Sequence, residues 1–184
     1  PRQGVNEAVC ALSLSQTASY FKREYALPMT TEQIELGINK MVEHFYYEKV
    51  QPKRGMRELL EELRREGVGC VIATATERHL IEAALRRCSM ERYFDGIFTC
   101  TEVDHGKDEP DIFRACLKAL GTDRGNTVVF EDALHAAATA KCDGFAIVGV
   151  YDKSERHQSE MKALCDCYIT DPVHPDELRR FASD

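Results

Sequence analysis

From residue 56 onward the chain alternates between short apolar runs and stretches whose apolar positions recur every three or four residues. Met56, Leu59, Leu60 and Leu63 mark one helix face, ended by Gly67. Residues 69–73 form an apolar strand, and 77–88 a helix with Leu80, Ile81, Ala84 and Leu85 inward. Residues 95–100 read as a second strand, and 111–120 as a helix carrying Ile112, Phe113, Cys116 and Leu117 on one side. A run at 127–130 reads as a strand buried on both faces, followed by a small-residue helix at 133–141 and a strand at 145–150. Residues 167–169 complete the strands, with a closing helix at 175–181. Continuous apolar strands separated by amphipathic helices predict an α/β fold, a parallel sheet wrapped by helices.

Residues 1–49 read differently. A helix at 15–25 is stopped by Pro28, and Thr30 with Gln33 has capping-box spacing ahead of a helix carrying Ile34, Ile38, Met41, Val42 and Phe45 at helical intervals. The breaker-rich stretch Gln51-Pro52-Lys53-Arg54-Gly55 is a natural junction. The expected organisation is a partial helical domain, 1–49, and an α/β core, 50–184.

Composition narrows the function classes. A net charge of -7 argues against nucleic acid as a default partner. No run approaches the roughly 18 apolar residues of a membrane span. Pro1-Arg2-Gln3-Gly4 has no signal-peptide pattern. The eight cysteines include no C-x-x-C pair, and without a secretion signal they read as reduced thiols in a cytoplasmic protein. Cys70 and Cys116 fall on apolar faces, where cysteine behaves as a small hydrophobe. A monomer or weak homodimer is expected.

The candidate chemistry lies at strand ends, where ligands bind in open parallel sheets. Glu131 and Asp132 close one strand, and such a carboxylate pair suits a hard cation such as Mg²⁺; the alternative is that Asp132 caps the helix that follows. Thr74 ends the first strand, where a hydroxyl and nearby amides could hold an anion such as phosphate, while Thr76 reads as a helix cap. Lys107 lies in a loop specified by Gly106 and by Pro110, which suits a first helical turn. A hydroxyl, an ammonium and an acidic pair, each after a different strand, are the parts of a phosphate and magnesium site. His79, near Thr76, reads as a solvated helical residue; His105 and His135 have no role specified by the sequence. Tyr46, Tyr47 and Glu48, at the end of the second helix, read equally as packing or as substrate contacts.

These stretches, in order, resemble the haloacid dehalogenase superfamily, in its β-phosphoglucomutase-like phosphatase branch with a helical cap. Val71-Ile-Ala-Thr74-Ala-Thr76 is similar to the family's second motif, Gly106-Lys107-x-x-Pro110-Asp111-Ile-Phe113 to its third, and Val129-Phe-Glu131-Asp132-Ala133 to its fourth. Tyr93–Phe98 and Gly144–Val150 are similar to its linking strands, so the likeness covers about residues 50–152. The resemblance implies a Rossmann-like core and a phosphatase acting on a small phosphorylated metabolite. It gives Thr74 and Lys107 catalytic roles on the phosphoryl group, places substrate against Thr74, Ala75, Thr76 and Lys107, and has Asp132, helped by Glu131, hold Mg²⁺. Ala133 departs from the serine common at its position.

A larger departure is that the family's first motif, Asp-x-Asp-Gly-Thr, which supplies the aspartate nucleophile on the central strand, does not occur in the sequence. The expectation is a chain that begins inside the cap of a longer protein, a few dozen residues in, with the two neighbours of that strand left with unpaired ladders. Three readings stay open: a Mg²⁺-dependent phosphomonoesterase, a phosphosugar mutase of the same family, or a non-catalytic module that binds a phosphorylated ligand or a partner.

Overall fold

The computed structural model describes residues 14–170 together with Val5, Val9 and Val173. The chain divides into two compact units, Pro1–Val50 and Gln51–Asp184. The expected helix at 175–181 lies outside the described residues.

In the first unit, helices α1 (Leu14–Tyr25) and α2 (Thr31–Glu48) pack together. The predicted capping box is formed: the Gln33 amide donates to Thr30 Oγ1 at 3.2 Å, and the Thr30 amide donates to Gln33 Oε1 at 2.9 Å. Two otherwise orphaned donors at the start of α2 are thereby satisfied.

The second unit contains α3 (Met56–Arg65), β1 (Val71–Thr74), α4 (Arg78–Arg87), β2 (Gly96–Thr99), α5 (Cys100–Val103), α6 (Asp111–Leu120), β3 (Val128–Glu131), α7 (Leu134–Cys142), β4 (Ala146–Val150), α8 (Gln158–Leu164) and β5 (Cys167–Ile169). All pairings are parallel, as the apolar strands predict. The strands fall into two sheets, β1-β2 and β3-β4-β5. Among the described residues β1 and β3 each pair on one side only.

One core joins the two sheets. Ile112 and Phe113 of α6, the alanines 136, 137 and 140 of α7, Ile147 of β4 and Met161 of α8 are buried together, with Ala73, Phe98 and Val129 packed against them. The alternate residues of the last two strands, Val148 and Ile169, face the opposite way, onto Leu59 of α3. Period-2 alternation along β4 therefore distributes its side chains between helices on both faces. Removing a side chain as buried as Ile147 leaves a cavity at a cost of about 2–5 kcal/mol.

The structure corrects the reading of residues 127–130 as buried on both faces. Val128 is 40% and Phe130 37% exposed, whereas Val129 and Glu131 point to the covered side. The cause is tertiary: β3 is an edge strand among the described residues, and α7 covers only one of its faces. Two short helices, α5 and α8, are additional to the expected elements.

Candidate active site

The parallel registers bring the carboxyl ends of the strands to common rims: Thr74 pairs with Thr99, and Glu131 with Gly149. Because each crossover helix runs back against its strands, the loops before α3, α4 and α7 also open at these rims.

Lys107 and the acidic pair are in direct contact. Lys107 Nζ lies 2.7 Å from Glu131 Oε2, with side chains 17% and 6% exposed, a short and largely dry charge-assisted bond. The turn that presents Lys107 is closed by the Glu109 amide donating to the Gly106 carbonyl at 3.2 Å. The Thr139 hydroxyl donates to the Asp108 carbonyl at 3.4 Å, tying that turn to α7. The other oxygen of Glu131 accepts from the amides of Asp132 and Ala133, each at 3.2 Å. Glu131 is therefore fixed on both oxygens.

Asp132 does not cap α7. That helix starts at Leu134, and its first amide donates instead to Glu155 Oε2 at 2.9 Å. The Asp132 carboxylate faces Lys53, with Nζ 3.6 Å from Oδ2. Lys53 also donates to the Tyr151 carbonyl at 3.1 Å and makes a short bond to Asp152. Asp152 holds its other oxygen against Ser154, accepting from the amide at 2.8 Å and the hydroxyl at 2.6 Å. Burial, and then the neighbouring carboxylates of Glu131 and Asp152, push the Asp132 carboxyl above its ordinary value, while Lys53 opposes them. For Asp152 burial acts in the same raising direction, but Lys53 and Ser154 outweigh it and bring the carboxyl down to about 2.

Thr74 stands at the end of β1, and its hydroxyl accepts from the Thr76 amide at 3.0 Å. This bond is local and leaves the hydroxyl proton for another acceptor. Thr76 is not the expected helix cap, because α4 begins two residues later with Glu77 in that position. Ala75 is exposed beside it. His79 is exposed on α4 and His135 on α7, while His105 Nδ1 lies 3.8 Å from Asp111 on the surface. Tyr46, Tyr47 and Glu48 end α2 in the separate first unit.

Lys53 and Asp152 are site residues that the strand-and-motif reading passed over. Both carried a readable signal. Lys53 sits between Pro52 and Gly55 as Lys107 sits between Gly106 and Pro110, and Asp152 follows the end of β4 as Glu131 and Asp132 close β3.

The donor chemistry fits a hard divalent cation. Asp132 is a half-exposed carboxylate repelled by two others, and Mg²⁺ commonly takes only one or two carboxylates, completing its shell with water and substrate phosphate. Among the described residues no group of three or more His, Cys, Asp or Glu side chains forms a closed metal centre. No described helix is long and apolar enough to cross a membrane.

Comparison with known proteins bears on the family and the fold. A phosphorylated-carbohydrates phosphatase from Thermotoga maritima is 28% identical over 148 residues, covering 80% of this chain and 67% of its own length. Validoxylamine A 7'-phosphate phosphatase from Streptomyces hygroscopicus subsp. limoneus is 29% identical over 117 residues, covering 64% of this chain and 54% of its own. The second relative is therefore spanned for little more than half its length. A provisionally assigned β-phosphoglucomutase from Thermotoga maritima superposes with a TM-score of 0.83 over 100% of this chain and 84% of its own, at 20% identity, a likeness of fold. The family model for haloacid dehalogenase-like hydrolases matches residues 6–142, a span that includes Thr74, Lys107, Glu131 and Asp132. By that match, and by the parallel α/β fold that carries it, the chain belongs to the haloacid dehalogenase-like hydrolases.

Proposed function

We propose that these residues serve a Mg²⁺-dependent phosphomonoesterase acting on a small phosphorylated metabolite, with residues 1–49 as a partial helical cap domain and 50–184 as the core. The observation that carries this reading is the Lys107–Glu131–Asp132 cluster at a strand rim, an ammonium held beside an acidic pair. Lys107 neutralises phosphate oxygens as charge develops on them, and Glu131 fixes where its ammonium stands. Thr74 donates its hydroxyl proton to a phosphoryl oxygen, with Ala75 exposed and Thr76 half-buried beside it on the substrate side. Asp132, helped by Glu131, would hold Mg²⁺, which supplies charge neutralisation on the phosphoryl group when bound. The relatives named as phosphatases of phosphorylated carbohydrates and of validoxylamine A 7'-phosphate support a small phosphate ester such as a phosphorylated carbohydrate as substrate. A cytoplasmic monomer or weak homodimer is the expected form.

The second reading is a module that binds a phosphorylated ligand without turnover. It is favoured by one observation: Asp-x-Asp-Gly-Thr does not occur in these 184 residues, so no aspartyl-phosphate can form on that motif from this sequence. Turnover separates the readings. In a protein that carries the first motif together with these residues, Lys107→Met and Asp132→Asn each abolish Mg²⁺-dependent hydrolysis of its phosphate ester. Normal hydrolysis in either variant overturns the enzyme assignment for these positions.

A further inference from the structure

Lys53 stands where the acidic side of the site most needs a positive charge. Its ammonium is bonded to Asp152 and to the Tyr151 carbonyl at 3.1 Å, and its distance to Asp132 Oδ2 is 3.6 Å, an ion pair too long for a hydrogen bond. Glu131 is already engaged by Lys107, so Lys53 is the ammonium that faces Asp132. The lysine is held in place by the chain. Gly55, two residues on, has φ +82 and lies so close to Val173 that a Cβ there would clash with the Val173 carbonyl oxygen. The Val173 amide donates to the Arg54 carbonyl at 2.8 Å. The loop bearing Lys53 is thus clamped on the residue just after it.

We propose that Lys53 is an internal counter-cation that competes with the divalent metal for Asp132. Its tight partner is Asp152 and its loose partner Asp132, so the ammonium retains its main anchor when a metal takes Asp132. Lys53 is a positioning residue: its ammonium pairs with the Asp132 carboxylate without metal, and it sets how strongly metal must bind to take over that carboxylate. The inference rests on the proposed assignment of Asp132 as the metal ligand.

The test is Mn²⁺ binding to the full chain, followed by the loss of the free-ion electron paramagnetic resonance signal, with no substrate present. Lys53→Met removes the charge and should tighten Mn²⁺ roughly tenfold or more, the size expected for a unit charge a few ångström from the ion. Lys53→Arg keeps the charge and should bind like the wild type, and Asp132→Asn should lose binding in either background. Should Lys53→Met not fold, Lys53→Gln provides the same comparison. Tight binding in Lys53→Met with weak or no binding in the wild type supports the proposal. Equal affinity in both, lost with Asp132→Asn, overturns the role of Lys53 and keeps Asp132 as ligand. Absence of binding in every protein overturns both.

Discussion

Lys107 and Glu131 hold each other in place at one strand rim, and Lys53 and Asp152 do so at another. Lys107 could be singled out in the sequence because a glycine before it and a proline after it specify its loop. Lys53 has the same surroundings, but its partners Asp132 and Asp152 lie 79 and 99 positions away, and only the fold brings them together. Thr76 and Asp132 show the converse: local propensity makes each a fair helix cap, yet the chain starts both helices later and satisfies the α7 amide with the distant Glu155. A further residue-scale consequence concerns acid. Glu102 is held from 4.5 to about 2, first by the Arg78 guanidinium at 2.6 Å and then by the Thr99 amide. A carboxylate depressed in the folded state stabilises it above its unfolded pKa and loses that contribution as pH falls. Denaturation midpoints should therefore drop between pH 4.5 and about 2, and Glu102→Gln should flatten that part of the profile. An unchanged profile in the variant would remove the pair from the acid response.

At the scale of elements, the strands and the longer helices were legible to within a residue or two, because continuous apolar runs and helical spacing carry their own signal. The helix over 111–120 and the strand over 167–169 match the structure residue for residue. Helix α5 is four residues long, too short for periodicity, though the Thr99 and Glu102 pair that opens it is a capping box written in the sequence. Helix α8 fully buries only Met161, with Leu164 partly buried beside it, a face too short for helical spacing to stand out in the sequence. The start of α3 makes a sharper prediction. Gly55 is left-handed and abuts Val173, so Gly55→Ala combines backbone strain with a backbone clash. We expect a loss of about 1–3 kcal/mol or more in denaturant unfolding. A loss below about half a kcal/mol would show that the junction relaxes freely.

At the scale of the molecule, the fold class and parallel topology were readable, and among the described residues the strands fall into two sheets. The exposure of Val128 and Phe130 was not readable, since an apolar run looks the same whether its neighbours are present or not. What the whole second unit achieves is to bring the ends of β1, β3 and β4 into rims that place an ammonium beside carboxylates, despite a net charge of -7 that would otherwise repel phosphate. The most direct measurement is isothermal titration of inorganic phosphate into the full chain with Mg²⁺ present, comparing the wild type with Lys107→Met. The account predicts saturable binding in the wild type and a weakening of roughly tenfold or more in the variant, about 1.4 kcal/mol or above. Equal phosphate affinity in the two proteins would contradict the placement of the phosphate site at Lys107.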